Sequence, residues 1–271
     1  MGVEAGNRCA IPLKKLLGAV VVVVLCDGET GVCVSVGSGF VVDKELGLIV
    51  TAAHTLINID GGNKQYPFGE NYNGLISGKV LIGVTPQNGD GKDTADFRYF
   101  AEIVAKDSSL ANGECHLDAC VLRITSRRDG RQLDMKSEQL STLKITEKWE
   151  IEEKVRIVGY NQGGEGRLRL GEHVNCYVDF AIGYVCKKFV NEEHPGGMRK
   201  ACFKPREEIV VICPTIIGHS GGPCVNQQGE VIGILSSADP SEQDRCYVVP
   251  SSELNVLVKS AQSDDRVRNI R

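Results

Sequence analysis

Ser220 stands in Gly218-His219-Ser220-Gly221-Gly222-Pro223, with small residues on both sides, between apolar runs at 209–213 and 231–235. Such a setting lets the backbone turn back sharply, so that a hydroxyl stands out and neighbouring N–H groups converge on one small space. That is the geometry of a nucleophile beside an oxyanion hole, although Gly-Gly-Pro is also an ordinary turn between strands. A serine hydroxyl is a poor nucleophile at neutral pH, so acyl transfer requires a base and a group that holds the base's tautomer. Of the five histidines, His54 is the best base, because Thr51-Ala52-Ala53-His54 puts it at the end of an apolar strand among small residues. His116 and His173 lack such a setting, His194 sits in a hydrophilic turn, and His219 adjoins the serine and points the wrong way. A lone histidine is more often structural, so His54 depends on its partners. Asp118 enters the apolar run Leu117-Asp118-Ala119-Cys120-Val121-Leu122, and a carboxylate taken into such a run must be paired or hydrogen-bonded. A histidine N–H is one such partner; a strand-start cap is the alternative, and Asp96, in a loop, is the rival acid.

These residues need a scaffold. The chain has 271 residues, 42% of them hydrophobic, which is enough for one large domain or two compact lobes. Valine, isoleucine and 31 glycines come in short runs cut by Gly, Asn and Asp, which favours an all-β architecture. The pattern predicts strands at 19–26, 32–42 with a break at 37–39, 48–52, 79–85, 97–106 and 117–124. A second set follows at 154–160, one or two strands within 168–180, then 209–213, 231–236 and 246–249. Pro250-Ser251-Ser252 caps a short helix through Ala261, with Glu253 in its first turn and a loose charged tail behind it. The implied organisation is a leader over 1–17, a first lobe over 18–125, a linker over 126–148, a second lobe over 149–250, and a helix and tail over 251–271. Residues 14–26 resemble a secretory h-region, but the run is valine-dominated and no small-x-small pattern follows it, so it reads as the first buried strand. It is also too short to span a bilayer. The net charge of −4, mixed in sign, gives no nucleic-acid or anionic-membrane footprint.

Eleven cysteines, an odd number, leave at least one thiol outside any intramolecular disulfide set. Cys26 with Cys33, and Cys176 with Cys186, are placed to face each other across hairpins; most of the others read as small buried hydrophobes. A zinc site from Cys186, His194, Cys202 and Cys213 lacks the paired C-x-x-C spacing, so neither a metal nor another cofactor is expected.

Taken together, Gly37-Ser38-Gly39-Phe40-Val41-Val42, Val50-Thr51-Ala52-Ala53-His54, Asp118 to Ile124, Val158-Gly159-Tyr160 and Gly218-x-Ser220-Gly221-Gly222-Pro223, with Val231-Ile232-Gly233-Ile234 behind them, resemble the chymotrypsin-fold serine proteases. The likeness covers 18–258 and is nearer to the HtrA-type branch; only a short tail follows the helix, leaving no room for that branch's PDZ domain. The resemblance implies two perpendicular six-stranded antiparallel β-barrels with the site in the cleft between them. It also implies Ser220 as nucleophile, His54 as base, Asp118 as its orienting acid, and the N–H groups of Gly218 and Ser220 as the oxyanion hole. Ile234, Leu235, Ser236 and Ser237 would form the edge strand that pairs with a protein or peptide substrate in extended form, and Thr215 and Ile216 would border the specificity pocket. Pro214, Thr215 and Ile216 supply no acid, which points to a small or aliphatic residue before the cut, while Asp239 and Asp244 keep a basic preference open. Thr55, Ile216 and Ile217 stand where secreted trypsin relatives carry cysteines, which fits a reducing, cytoplasmic or otherwise intracellular setting. Position 219 is histidine, so activation by a new N-terminal amine paired with an acid there is not available. The expected function is a serine endopeptidase working through an acyl-enzyme. The alternatives are a weakly active or inactive protease-fold regulatory module and a secreted trypsin-like enzyme. Oligomeric state is open.

Overall fold

In the computed structural model, the structure describes residues 12–27, 33–56, 78–86, 95–107, 117–162, 176–191, 206–215, 218–238 and 244–268. A short helix α1 (Leu13–Ala19) leads into β1 (Val20–Asp27), followed by β2 (Cys33–Asp43), β3 (Leu48–Thr51), β4 (Gly78–Val84), β5 (Asp96–Lys106) and β6 (Cys120–Arg127). These six close antiparallel into a barrel in the order β1-β2-β3-β6-β5-β4. A second closed barrel, in the order β10-β11-β12-β9-β8-β7, is built from β7 (Lys154–Gln162), β8 (Cys176–Asn191), β9 (Arg206–Ile212), β10 (Pro223–Val225), β11 (Val231–Ala238) and β12 (Arg245–Pro250). The all-β, chymotrypsin-like architecture expected from the sequence is the one found.

The continuous valine run of β1 is explained by burial on both faces. Val21, Val23 and Leu25 point into the first barrel with Val41, Ile49, Ile82 and Leu122. Val20, Val22 and Val24 point outward into a central cluster shared with Val158, Tyr160, Val225, Val231 and Ile234 of the second barrel. All five valines are fully buried, each worth about 1.5 kcal/mol or more relative to exposure. The second barrel has its own interior, around Ile157, Val185, Val211, Cys224, Ile232 and Val248.

The C-terminal helix α2 (Ser251–Arg268) opens with Glu253 in its first turn, where a negative charge suits the helix dipole. Leu254, Leu257, Val258 and Ala261, at helical spacing, fill the central cluster. The helix thereby packs on β3, β5 and β6 of the first barrel as well as on β11 and β12. It continues past Ala261, where the apolar periodicity stops, and Gln262 Nε2 donates to Asp43 Oδ2 at 3.0 Å. Two other expectations are corrected. β2 runs unbroken through Gly37 and Gly39, and Cys176 and Cys186 lie ten residues apart on the single strand β8, so they do not face each other across a hairpin. Among the described residues no helix is long and apolar enough to cross a membrane.

Between the barrels the chain is fixed to both. Tyr99 of β5 donates to Glu138 Oε2 at 2.6 Å and Arg127 pairs with Glu138 Oε1, while Ile145 forms a parallel bridge to Val231. Burial and the Glu138 carboxylate both push the Tyr99 phenol upward, keeping it a neutral donor.

Candidate active site

β3 ends at Thr51, and a single turn of 3-10 helix, Ala53–Thr55, carries His54 at the barrel's rim. Its imidazole Nδ1 lies 2.7 Å from Asp118 Oδ2, and its backbone N–H donates to Asp118 Oδ1 at 2.9 Å. Asp118, just ahead of β6, is wholly buried, whereas the His54 side chain is 21% exposed. A third donor, Ser236 Oγ of β11, reaches Asp118 Oδ2 at 2.6 Å. A carboxylate removed from water needs such compensation, and three donors supply it. A carboxylate at Asp118 accepts the Nδ1–H, and in the neutral ring that tautomer makes Nε2 the acceptor. The neighbouring Cys120 thiol is pushed up by burial and by the Asp118 charge, and stays protonated.

Ser220 sits in the turn between β9 and β10. Gly218 and Gly221 adopt φ of +102° and +81°, a region that residues with a side chain rarely enter. A Cβ on Gly221 would lie 2.5 Å from the Ala52 nitrogen, so the turn rests directly on the segment that leads to His54. Gly37 fits between the two, since a Cβ there would be 2.7 Å from Thr55 Oγ1 and 3.0 Å from the Ser220 carbonyl. The carbonyls of Gly218, His219 and Ser220 are engaged. Ser38 Oγ donates to Gly218 O at 2.6 Å, Gly222 N–H to His219 O at 2.8 Å, and Ser38 N–H to Ser220 O at 2.7 Å. Ser38 Oγ in turn accepts the Tyr160 N–H at 2.8 Å. With their carbonyls held elsewhere, the peptides of this turn can present N–H groups to a developing negative charge. Among the described residues no hydrogen bond joins the Ser220 hydroxyl to His54.

His219, between these residues, is 1% exposed, and neither ring nitrogen has a hydrogen-bond partner among the described residues. Its ring rests on Gly159, where a Cβ would come within 2.8 Å of Cδ2. Burial pushes its pKa down, opposed by the charge of Asp179, the cross-strand partner of Gly159.

A family model for the trypsin-like peptidase domain matches residues 37–234, from the glycine ahead of Ser38 to the middle of β11. The chain belongs to the trypsin-like peptidases. Solved structures show the same fold at low sequence identity. The active form of the Rv3671c protease from M. tuberculosis is 15% identical with a TM-score of 0.59, over 96% of this chain and 94% of that one. Its inactive form is 14% identical with a TM-score of 0.55, over 91% and 90%. A serine endoprotease from Yersinia pestis is 16% identical with a TM-score of 0.57, over 97% of this chain and 69% of that one. No curated protein sequence matches significantly.

Within this trypsin-like peptidase, the residues singled out from sequence fall into two groups. His54, Asp118, Ser220 and Gly218 gather where the two barrels meet. Asp96 does not join them: it is 53% exposed and paired with Arg98 at 2.7 Å. Ile234 and Leu235 are buried and hydrogen-bonded on both sides, since β11 pairs with β10 and β12 and Leu235 also exchanges backbone bonds with Gly221 and Gly222. Ser236 is turned inward to Asp118, and only Ser237 of the four is partly exposed. Thr215 is partly exposed, and Ile216 lies outside the described residues, as do His194, Cys202 and Asp239. Asp244 engages through its backbone, accepting the Cys213 N–H at 2.5 Å. In sequence Ser38 reads only as part of a motif and Ser236 only as part of the expected substrate-pairing strand; the roles of both in holding the site escape that reading, because a single serine within a strand gives no signal of a partner far along the chain.

Proposed function

We propose that the protein is a serine endopeptidase of the HtrA-like kind that cleaves protein or peptide substrates bound in extended form. Ser220 Oγ attacks the scissile carbonyl carbon as His54 Nε2 takes its proton. The oxyanion is held by the N–H groups of Gly218 and Ser220, and Asp118 stabilises the imidazolium without itself becoming protonated. His54 then gives the proton to the leaving amine, and water repeats the sequence on the acyl-enzyme. This route uses no metal or cofactor. Substrate backbone would pair with β11 from Ser236 onward, past the point where Gly221 and Gly222 occupy the strand. The supporting observation is the triple hydrogen-bonding of buried Asp118, which holds His54 through its backbone N–H and Nδ1 and leaves Nε2 outside that set. A fluorophosphonate probe tests the reading: it should label the wild type and fail with Ser220→Ala and His54→Ala. Wild type that takes no label under any condition would sink it.

That outcome would favour a second reading, a protease-fold regulatory module of little activity. Two observations favour it: among the described residues the Ser220 hydroxyl has no bond to His54, and His219, beside Ser220, has no partner for its ring nitrogens. The intracellular setting rests on the residues at 55, 216 and 217, where secreted relatives place cysteines.

A further inference from the structure

The described cysteines occupy different settings: Cys120 is buried inside the first barrel, and Cys186 of β8 is half-buried. Cys213, Cys224 and Cys246 are buried in the interior of the second barrel, and burial pushes all three thiols upward. Cys26 and Cys33 instead end the β1–β2 hairpin as cross-strand partners with their sulfurs 3.0 Å apart. Their pairing depends on an irregularity. β1 and β2 run in simple register from Val20↔Phe40 to Leu25↔Ser35, and the next pair skips one residue, bringing Cys33 rather than Val34 opposite Cys26. A bulge at this place re-aims a side chain. Access is asymmetric: Cys26 is buried, while Cys33 is half-buried and open to a small reagent.

We propose that Cys26 and Cys33 form a thiol–disulfide site whose oxidant is a low-molecular-weight disulfide of the glutathione class. The Cys33 thiolate attacks one sulfur of the small disulfide and expels one thiolate, leaving a mixed disulfide on Cys33. Cys26 then loses its proton, its sulfur attacks Cys33 Sγ, and the second small thiolate leaves. Two protein thiols and one small disulfide become one protein disulfide and two small thiols. The environment fits these roles. The hydrogen bond from Cys26 and the Arg128 charge hold Cys33 below the usual thiol value, and the same bond with burial holds Cys26 above it. The cross-link would pin the register of the strand that, five residues on, presents Ser38 to the nucleophile turn.

The experiment equilibrates the folded, reduced full chain in glutathione buffers of graded ratio, traps free thiols by alkylation and maps the peptides by mass. The expected product is a Cys26–Cys33 cross-link that has lost two hydrogens, while Cys213, Cys224 and Cys246 remain alkylatable on unfolding. The oxidised form should melt roughly 5 °C higher than the reduced form. Cys33→Ser should abolish the redox dependence while leaving fluorophosphonate labelling as in the reduced wild type. Cys26→Ala gives the same readout from the buried side. A persistent glutathione adduct on Cys33, oxidation confined to other cysteines, or an oxidised form that melts lower would overturn the proposal. None of these outcomes depends on whether Ser220 is a nucleophile.

Discussion

The two barrels share strand number and closure, yet they bring very different kinds of structure to the place where they meet. The first supplies His54 and Asp118, a pair whose buried member accepts three hydrogen bonds and whose other partners lie nearby in the fold. The second supplies a glycine-rich turn with two positive-φ residues and a buried His219 whose ring has no partner among the described residues, and it depends on Ser38 of the first barrel to hold its carbonyls. Each half of the site borrows from the other barrel, since Ser236 of β11 holds Asp118 as Ser38 of β2 holds the Ser220 turn. The asymmetry lies in satisfaction: both oxygens of the acid have donors, while the two ring nitrogens of His219 have no partner among the described residues.

The sharpest way to break this asymmetry is Asp118→Asn, which removes the charge that fixes the His54 tautomer. Peptidase and labelling rates should fall by a factor on the order of 10⁴ at neutral pH; a loss under about tenfold would show that the acid does not orient the base. Ser38→Ala attacks the second-barrel half by stripping the donor from Gly218 O and the acceptor from the Tyr160 N–H. A drop in kcat of about 10² with little change in KM is expected, together with about 1–3 kcal/mol of stability lost in urea unfolding. A rise in KM alone would mean that Ser38 does not shape the oxyanion loop. Gly159→Ala forces a methyl to within 2.8 Å of the His219 ring, costing about 1–3 kcal/mol through overpacking; unchanged melting would show that the ring gives way freely.

The smallest effect concerns pH. Burial holds the folded-state pKa of His219 below its ordinary 6.5, so below that value the unfolded chain binds more protons than the folded one. The contribution is fully present above pH 6.5 and erodes as pH falls toward the folded pKa, by at most about 1.4 kcal/mol per unit. Melting curves across that window should show the erosion in wild type and lack it in His219→Asn. Parallel curves would remove His219 from the comparison.

The rim positions of His54 and Asp118 could be read from sequence because each stands where an apolar run stops or starts, and the turn at Ser220 because glycines flank it. Ser38 and Ser236 could not. Their partners lie 180 and 118 residues away, and a serine within a strand announces only which face it is on. The β1 valines were legible as a buried strand, but not the division of odd and even positions between two different cores, because both faces are equally apolar. The extent of α2 was hidden for the opposite reason. Its buried stripe stops at Ala261, and the polar turns that follow are helical without any apolar periodicity to mark them.

One bond described above has a consequence for motion. The Ser38 N–H lies within β2, yet its acceptor is the Ser220 carbonyl in the turn before β10 of the other barrel, 2.7 Å away. Exchange of that amide proton with solvent therefore requires the barrels to part locally, while the strand pairing inside each remains closed. The amide is a natural clock for that opening. Each such event would release the Ser220 turn from its first-barrel anchors and leave His54 and Asp118 joined, so transient separation of the two halves of the candidate site precedes unfolding of either barrel.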